Sequence, residues 1–298
     1  FSARHCFSLF LLLLYANCYC QNTSVVLKYF VKENATLLRW APANKQVFDL
    51  AVKNGYKITR YTKENALLIS PVVIADTIKP YSYNDSIRWV NLARKNKNAI
   101  LIMETLYQNK NTSKISPKEK EEQDKMLYNL MLLSCDFDAT IAKACGLFLK
   151  DSTIVNTKTY SYKIEINNTH PASKISPSSI EINAGVLSTN PLINNLTGKF
   201  KNKQLMLKWK ATDFSNSYGG YIIERSTDNL FFERITQAPV ILLASQHEKN
   251  KEFITYNDTL PDTKIKYYYR IKGINHFGEE SDPSNVISGT GYEELKSM

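Results

Sequence analysis

The side chains best suited to nucleophilic chemistry are Cys135 and Cys145, the two cysteines that follow the first twenty positions. A thiol nucleophile needs a base such as histidine, and such partners meet in space rather than along the chain. Both cysteines lie in apolar, helix-forming segments, where a thiol pKa is raised and the group is unreactive. We expect either two buried thiols or one disulfide between them, and no nucleophile.

Metal chemistry has equally few candidates. The histidines beyond the first twenty positions are His170, His247 and His276, and none lies at a ligand spacing from another histidine, cysteine or carboxylate pair. Asp136 and Asp138 could suggest a cation site, but a calcium loop requires more oxygen ligands and a glycine. We therefore expect loop histidines, Asp138 as a helix cap, and no metal or cofactor.

Familiar catalytic motifs do not occur in the sequence. It has no glycine-rich phosphate loop, no Gly-x-Ser-x-Gly elbow and no His-Glu-x-x-His helix. A carboxylate pair for glycoside hydrolysis cannot be selected among 28 acidic residues without geometry. The sequence predicts that the protein is not an enzyme; the alternative is an active cleft that holds Cys135 or Cys145 beside a histidine.

The charge balance is basic, with a formal net charge of +10, which favours acidic partners such as nucleic acid, polyanionic glycans or anionic membranes. Lysines alternate with apolar residues, however, and no run reaches five basic residues. This pattern is typical of a solvated surface, so we expect no nucleic-acid partner.

The first twenty residues have the pattern of a secretory signal peptide. A basic start at Arg4 precedes an apolar stretch from Phe7 to Ala16, which is too short to span a bilayer, and small side chains follow at Cys18 and Cys20. We expect residues 1–20 to be removed on export to the periplasm, the cell surface or the medium. In the alternative, Cys18 or Cys20 carries a lipid anchor, which is the only membrane attachment that we expect.

An internal repeat organises the rest of the chain. Leu38-Arg39-Trp40 and Gly55–Arg60 recur as Leu207-Lys208-Trp209 and Gly220–Arg225. Each segment alternates apolar and polar residues as a half-buried strand does. A third strand recurs in the same order, Tyr160–Ile164 matching Tyr267–Ile271.

The second copy resembles the fibronectin type III family. The resemblance is carried by Trp209, by Gly-Tyr-x-Ile-x-Arg from Gly220, by Leu260-Pro261 before Tyr-x-Tyr-Arg-Ile, by Asn275-x-Phe277-Gly278, and by Ser281-x-Pro283-Ser284-Asn285. It implies seven strands in two sheets, a core tryptophan, and Tyr267 as a corner tyrosine that bonds nearby backbone. It also implies a spacer, adhesion or carbohydrate-enzyme accessory module without catalytic residues.

The first copy departs from this pattern by a helical insertion at about residues 76–156. A capping box begins at Ser116, after which Met126, Leu127, Leu130, Met131 and Ser134 recur along one side. Further helices are expected over Asp85–Lys95, Ala99–Tyr107 and Asp138–Cys145, with a turn over Gln46–Val52 and a last strand over Ser179–Ile182. The insertion should pack on the sandwich it interrupts, as in similarly elaborated fibronectin-like proteins exported by bacteria.

We therefore expect a mainly β chain with two fibronectin type III-like (immunoglobulin-like) β-sandwiches, at residues 21–190 and 198–291. Because the first residue is Phe1, we expect sequence to be missing at the start, and residues 292–298 to be a tail or a linker to missing sequence. Loop aromatics are the tentative ligand contacts: Phe214, Tyr218 and Phe277.

The expected function is that of a non-catalytic extracytoplasmic interaction or structural protein. Its fibronectin type III modules would contact an envelope or extracellular protein, or a glycan, with the helical insertion as its distinctive surface. The alternative is an accessory module region of a larger secreted carbohydrate-active enzyme.

Overall fold

The structure is a computed structural model that describes residues 25–107, 116–167, 175–241 and 252–292. Several predictions concern residues outside these ranges. They are the signal peptide at 1–20 with Cys18 and Cys20, the loop histidines His170 and His247, and all but the first residue of the 292–298 tail.

Seven strands form the first sandwich. β1, β2 and β5 make a three-stranded antiparallel sheet in the order β1-β2-β5, and the other four make a second sheet in the order β4-β3-β6-β7. The strands are β1 (Val25–Lys32), β2 (Ala35–Pro42), β3 (Tyr56–Glu64), β4 (Leu67–Ile78), β5 (Phe148–Asp151), β6 (Thr159–Ile166) and β7 (Ser178–Asn183).

Seven further strands form the second sandwich with the same connectivity. Its sheets have the orders β8-β9-β12 and β11-β10-β13-β14, so each strand takes the place of its counterpart seven strands earlier. The predicted fold class, two fibronectin type III-like sandwiches in a mainly β chain, is confirmed. The strands are β8 (Thr197–Lys201), β9 (Gln204–Lys210), β10 (Tyr218–Ser226), β11 (Glu233–Arg234), β12 (Phe253–Thr259), β13 (Lys266–Asn275) and β14 (Ile287–Thr290).

Five α-helices are described, all within the first sandwich. The predicted helices are confirmed, and the segment Gln46–Val52, expected to form only a turn, lies within a ten-residue helix. Four of the five lie between β4 and β5. The predicted insertion range of 76–156 is therefore too long at its end, because it also includes β5, which is a strand of the sandwich. The helices are α1 (Lys45–Asn54), α2 (Ser86–Lys95), α3 (Asn98–Tyr107), α4 (Pro117–Phe137) and α5 (Ala139–Ala144).

Helix ends follow the capping chemistry of the sequence. The Ser116 hydroxyl accepts from the backbone N–H of Glu119, and the Glu119 carboxylate accepts from the backbone N–H of Ser116, which completes the predicted capping box. Asp138 caps α5 through the backbone N–H groups of Thr140 and Ile141, as predicted. This cap separates α4 from α5 within a single residue.

The predicted apolar stripe of α4 is wrong by about one residue. Tyr128, Met131 and Cys135 are buried, whereas Met126 and Leu130 are exposed. The helix is turned this way because the Tyr128 hydroxyl donates to the carbonyl of Pro42, 3.1 Å away at the end of β2. The aromatic ring thus fixes which face of the helix meets the sandwich.

The helical insertion covers the outer face of the first sandwich. Every residue of β2 from Ala35 to Trp40 is buried, on both faces of its sheet. In β9, the matching strand of the second sandwich, burial alternates strictly from Gln204 to Trp209, as expected for a sheet with one wet face. The insertion and the first sandwich therefore share one continuous hydrophobic core.

The repeated aromatic residues occupy equivalent core positions. The ring centroids of Trp40 and Tyr56 are 5.6 Å apart, and those of Trp209 and Tyr221 are 5.3 Å apart, both edge to face. The predicted role of Tyr267 as corner tyrosine is confirmed, because its hydroxyl accepts from the backbone N–H of Asp262 at 3.2 Å. The hydroxyl of Tyr160, its counterpart, accepts from the backbone N–H of Val155 at 2.9 Å.

A buried carboxylate connects the two sheets of the first sandwich. Asp151 on β5 accepts from Arg60 on β3 and from the hydroxyl of Tyr162 on β6, each at 2.7 Å. Thr153 donates to the other carboxylate oxygen through its backbone N–H and its hydroxyl. Burial alone would raise the pKa of Asp151, but these hydrogen bonds and the Arg60 charge outweigh it and hold the pKa below its ordinary value.

The second sandwich repeats this arrangement in a more exposed form. Asp258 on β12 accepts from Arg225 at 2.9 Å and from the hydroxyl of Tyr269 at 2.6 Å. The side chain of Asp258 is 14 % exposed, against 1 % for Asp151. The same contact of an aspartate with an arginine and a tyrosine thus joins the two sheets of each sandwich, with different degrees of burial.

We predict that Asp151→Asn lowers the free energy of unfolding by about 2–4 kcal/mol, and Asp258→Asn by about 1–2 kcal/mol, because only Asp151 is fully buried. The stabilisation from Asp151 is present above its unfolded pKa of about 4, and is lost as pH falls through the lower folded value. Urea denaturation of both variants as a function of pH checks this. Equal losses in the two variants at neutral pH would contradict it.

Candidate functional site

The three aromatic residues expected to contact a ligand are buried. Phe214 and Tyr218 pack together in the second core, with ring centroids 6.0 Å apart, and the Tyr218 hydroxyl donates to the carbonyl of Pro191. The ring of Phe277 packs against Phe30 of the first sandwich at 5.8 Å. The interpretation as free contact residues is corrected by this burial, because Phe214 and Tyr218 pack in the core of their own sandwich and Phe277 is covered by the first sandwich.

This contact surface between the sandwiches is called the seam. Lys28 on β1 donates to the backbone carbonyl of Asn216 at 3.2 Å, and Lys32 forms an ion pair with Glu279. Both partners lie in loops of the second sandwich, after β9 and after β13. The seam comprises Lys28, Phe30, Lys32, Phe137, Asn216, Phe277 and Glu279.

The end of α4 is wedged into the seam against glycines of the second sandwich. A Cβ atom on Gly220 would lie 2.7 Å from Phe137 Cε1 and 2.9 Å from Pro239 Cβ. Gly278, at φ +76, would place a Cβ atom 2.9 Å from the Phe137 carbonyl oxygen. These approaches require glycine at positions 220 and 278, so Gly220 is more than a turn signal.

A polar cluster lies beside this wedge. Arg39 is only 3 % exposed, and its Nη2 atom lies 3.5 Å from Asp136 Oδ1. His276 of the second sandwich places Nδ1 3.8 Å from the same oxygen atom. A small cavity of about 20 Å³ opens here, and its lining residues are Val26, Lys28, Arg39, Trp40, Ala41, Asp136 and His276.

Arg39 is held firmly at this cavity by backbone carbonyls. Its Nε atom donates to Cys135 at 3.4 Å, and its Nη1 atom donates to Trp40 and Leu147. In the repeat, Arg39 corresponds to Lys208, which is exposed on β9. The outward-facing cation of an ordinary sandwich has become a buried cation here, because the insertion and the second sandwich cover it.

The environment of Lys28 is electrostatically unfavourable. Burial lowers the pKa of Lys28 to about 8, against the attraction of Asp136 and with a smaller repulsion from Arg39. Two cations and one carboxylate therefore line the cavity at neutral pH. Lys28 and Arg39 are opposite each other on the hairpin of β1 and β2, but the sequence could not place Asp136 beside them, because it lies almost a hundred residues further along the chain.

The two cysteines are buried free thiols in contact with each other. The hydrogen bond to Cys135 and burial raise the pKa of Cys145 well above its ordinary value. This arrangement matches the prediction of buried thiols rather than that of a disulfide. Neither cysteine lines the seam cavity, although His276 does.

The described residues bring together no group of three histidines, cysteines or carboxylates that could hold a metal ion. Within the same ranges, no helix has the length and apolar character needed to cross a bilayer.

The most exposed large apolar side chains lie in the turn after β10. Leu230 is 78 % exposed and Phe231 is 79 % exposed. The turn is rigid, because Asp228 Oδ1 accepts from the backbone N–H groups of Leu230 at 2.8 Å and Phe231 at 2.9 Å. Ser226 Oγ in turn accepts from the backbone N–H groups of Asp228 and Asn229.

The next residue anchors this turn to the sandwich. The Arg270 guanidinium lies over the Phe232 ring, 3.9 Å from its centroid. Because β10 begins beside the seam and ends at Ser226, the turn projects from the opposite end of the second sandwich. Sequence reasoning missed it, although Ser-Thr-Asp-Asn before Leu-Phe-Phe is a turn signal followed by more apolar residues than one strand face can bury.

The insertion also exposes apolar side chains. They lie on three successive helices, at Ile87, Val90, Ile100, Leu101, Met126 and Leu130.

Comparisons with known proteins add little to this geometry. A scan against protein-family models finds no match, and a search of curated proteins also finds none. Among solved structures, the chain is similar to the FN1–FN3 domains of chicken CNTN1, with 12 % sequence identity and a TM-score of 0.26. The match covers 91 % of this chain and 66 % of that chain, so this chain spans about two thirds of its length.

We predict that the unfolding free energy of the wild type rises between pH 8 and about 10.5, relative to a Lys28→Met variant in low-salt buffer. In this window the unfolded chain still binds the Lys28 proton and the folded chain does not, so raising the pH favours the folded state. Urea denaturation at several pH values measures the difference. A difference that is independent of pH would show that Lys28 titrates normally.

We also predict that Gly220→Ala destabilises the protein by about 1–3 kcal/mol, because the new methyl group overlaps the Phe137 ring. Gly219→Ala is the matched control. Its Cβ atom would meet its nearest neighbours at 3.5 Å, an ordinary contact, and its effect should stay within about 0.5 kcal/mol. Thermal unfolding distinguishes the two, and equal effects would contradict the wedge.

Proposed function

We propose that the chain is a non-catalytic interaction protein of the extracytoplasmic space, and that it binds another protein through the turn that carries Leu230 and Phe231. The fibronectin type III-like fold fits an interaction or structural module. The observation that carries the proposal is the pair of apolar side chains, more than three quarters exposed, on a turn held rigid by Asp228.

A rigid apolar turn is suited to binding because its conformation is set before the partner arrives. The side-chain bonds of Asp228 and Ser226 hold the backbone, so little conformational entropy is lost on association. Leu230 and Phe231 would each bury a large apolar surface in a partner's pocket, and burial of apolar surface is the main driving force of most protein association.

The chemistry of the turn favours a protein partner over a glycan. Sugar recognition combines an aromatic platform with polar side chains that bond the hydroxyl groups. Here one oxygen of Asp228 is engaged by the turn's own backbone, and an aliphatic side chain, Leu230, lies next to the ring of Phe231. An apolar pocket on a protein complements this pair better than a hydrated sugar does.

The helical insertion has a supporting role in this proposal. The seam joins the sandwiches through the end of α4, the Phe30–Phe277 contact and the Lys32–Glu279 ion pair, so the turn is presented on a stiff two-domain body. This revises the expectation that the insertion is the distinctive binding surface.

The extracytoplasmic location rests on the sequence. The apolar stretch Phe7–Ala16 after Arg4 is typical of a secretory signal peptide, and the resemblance is to fibronectin-like proteins exported by bacteria. Envelope and extracellular proteins are therefore the expected partners.

The proposal is tested with the exported chain immobilised and exposed to envelope and medium fractions. We predict that a Leu230→Ser/Phe231→Ser variant loses a protein that the wild type retains, and that the affinity for this protein falls at least tenfold, about 1.4 kcal/mol. Binding of the purified partner is then measured by surface plasmon resonance.

The matched control is Ile87→Ser/Val90→Ser, which removes a comparable exposed pair on α2. It should bind as the wild type does. Loss of binding in this control alone would show that the partner contacts the insertion and not the turn. Retention of a soluble glycan with no protein would overturn the protein-binding function.

A further inference from the structure

The seam cavity has the composition of an anion site. We propose that it binds a single monatomic anion, chloride, between the two sandwiches. Its lining contains two cationic side chains, Arg39 and Lys28, and one carboxylate, Asp136. Arg39 is buried and Lys28 is half-buried, and positive charge taken out of water is unfavourable unless a counter-charge accompanies it.

Two nitrogen atoms at the site are without a hydrogen-bond partner among the described residues. The Nη2 atom of Arg39 has no hydrogen-bond partner among the described residues, and its ion pair with Asp136 is long, at 3.5 Å. The Nε2 atom of His276 is likewise buried and unpartnered in the part of the chain that the structure describes. Both residues are more than nine-tenths buried, and both approach the same Asp136 oxygen.

Among the residues that the structure describes, the Nε1 atom of Trp40 is also buried without a hydrogen-bond partner, but it does not support the site. Trp209 has the same property at the equivalent position of the second sandwich, which has no such cation cluster. An unpartnered tryptophan nitrogen is therefore a feature of both cores, whereas the unpartnered nitrogens of Arg39 and His276 are specific to the seam.

The cavity is large enough for a small anion. A volume of about 20 Å³ admits at least one water-sized occupant, for which roughly 10–15 Å³ is the minimum. Chloride and bromide, each a single atom, are the simplest anions that meet this size.

An anion in this position would join both halves of the molecule. Its neighbours come from β1, β2 and the end of α4 in the first sandwich, and from His276 in the second. Chloride would therefore stabilise the seam, separately from any partner bound at the Leu230–Phe231 turn.

The site is tested by thermal unfolding of the full chain in sodium chloride and in sodium gluconate at equal ionic strength. We expect a saturable rise of about 3–6 °C in chloride and none in gluconate, because only the small anion binds the folded state. Crystals soaked in bromide should show an anomalous peak between Arg39, Asp136 and His276.

Two variants test the charges without removing Arg39, whose loss could prevent folding. Asp136→Asn should tighten chloride binding about tenfold by removing the nearest negative charge, and Lys28→Met should weaken it about tenfold. Lys199→Met, on the exposed strand β8, is the matched control and should leave the chloride response unchanged.

The proposal is overturned if chloride and gluconate give the same unfolding temperature, if the bromide signal is absent from the cavity and only water occupies it, or if Asp136→Asn does not tighten binding. None of these outcomes depends on the partner-binding turn, so the two proposals fail independently.

Discussion

In each sandwich a single carboxylate connects the two sheets, and the rest of the architecture depends on this connection. Asp151 and Asp258 extend from three-stranded sheets to an arginine and a tyrosine of the facing four-stranded sheets. A buried ion pair of this kind contributes less to net stability than its Coulomb energy suggests, because both charges lose water. Its geometry, however, aligns β5 with β3 and β6, and β12 with β10 and β13. The two copies therefore keep the same strand register even though one carries a large insertion.

The insertion changes what the first sandwich can do with its outer surface. Helices between β4 and β5 cover the face of β2 that stays wet in β9, so Arg39 is enclosed where Lys208 is solvated. One of these helices, α4, ends at Phe137, directly against Gly220. Covering one sheet and joining the second sandwich are thus two results of one helix packing. The loops that would be free in an isolated second sandwich become part of a joint, and the free surface moves to the opposite end.

Much of the fold could be predicted from the sequence, because its signals are local. Alternation around Trp209, the capping box at Ser116 and the Asp138 cap depend on residues that are close in the chain, and all are confirmed. The rotation of α4 was not predictable, since it depends on a bond from Tyr128 to distant Pro42. The aromatic contact residues failed for two reasons. Phe214 and Tyr218 pack in the core of their own sandwich, and Phe277 is covered by Phe30 of the other. The cluster around Arg39 was not predictable either, because Asp136 and His276 are distant from Arg39 along the chain.

The wedge of Phe137 also has a consequence for biosynthesis. The chain emerges from the ribosome with its amino end first, and domains generally fold as they emerge. The first sandwich, with its helices, has all its strands by Asn183, whereas the glycines that receive Phe137 lie on β10, and Gly278 follows β13. Until those strands exist, the nascent first half carries an uncovered aromatic ring, an uncovered Phe30 and a cation cluster open to solvent. This surface is covered only when the second sandwich closes over it.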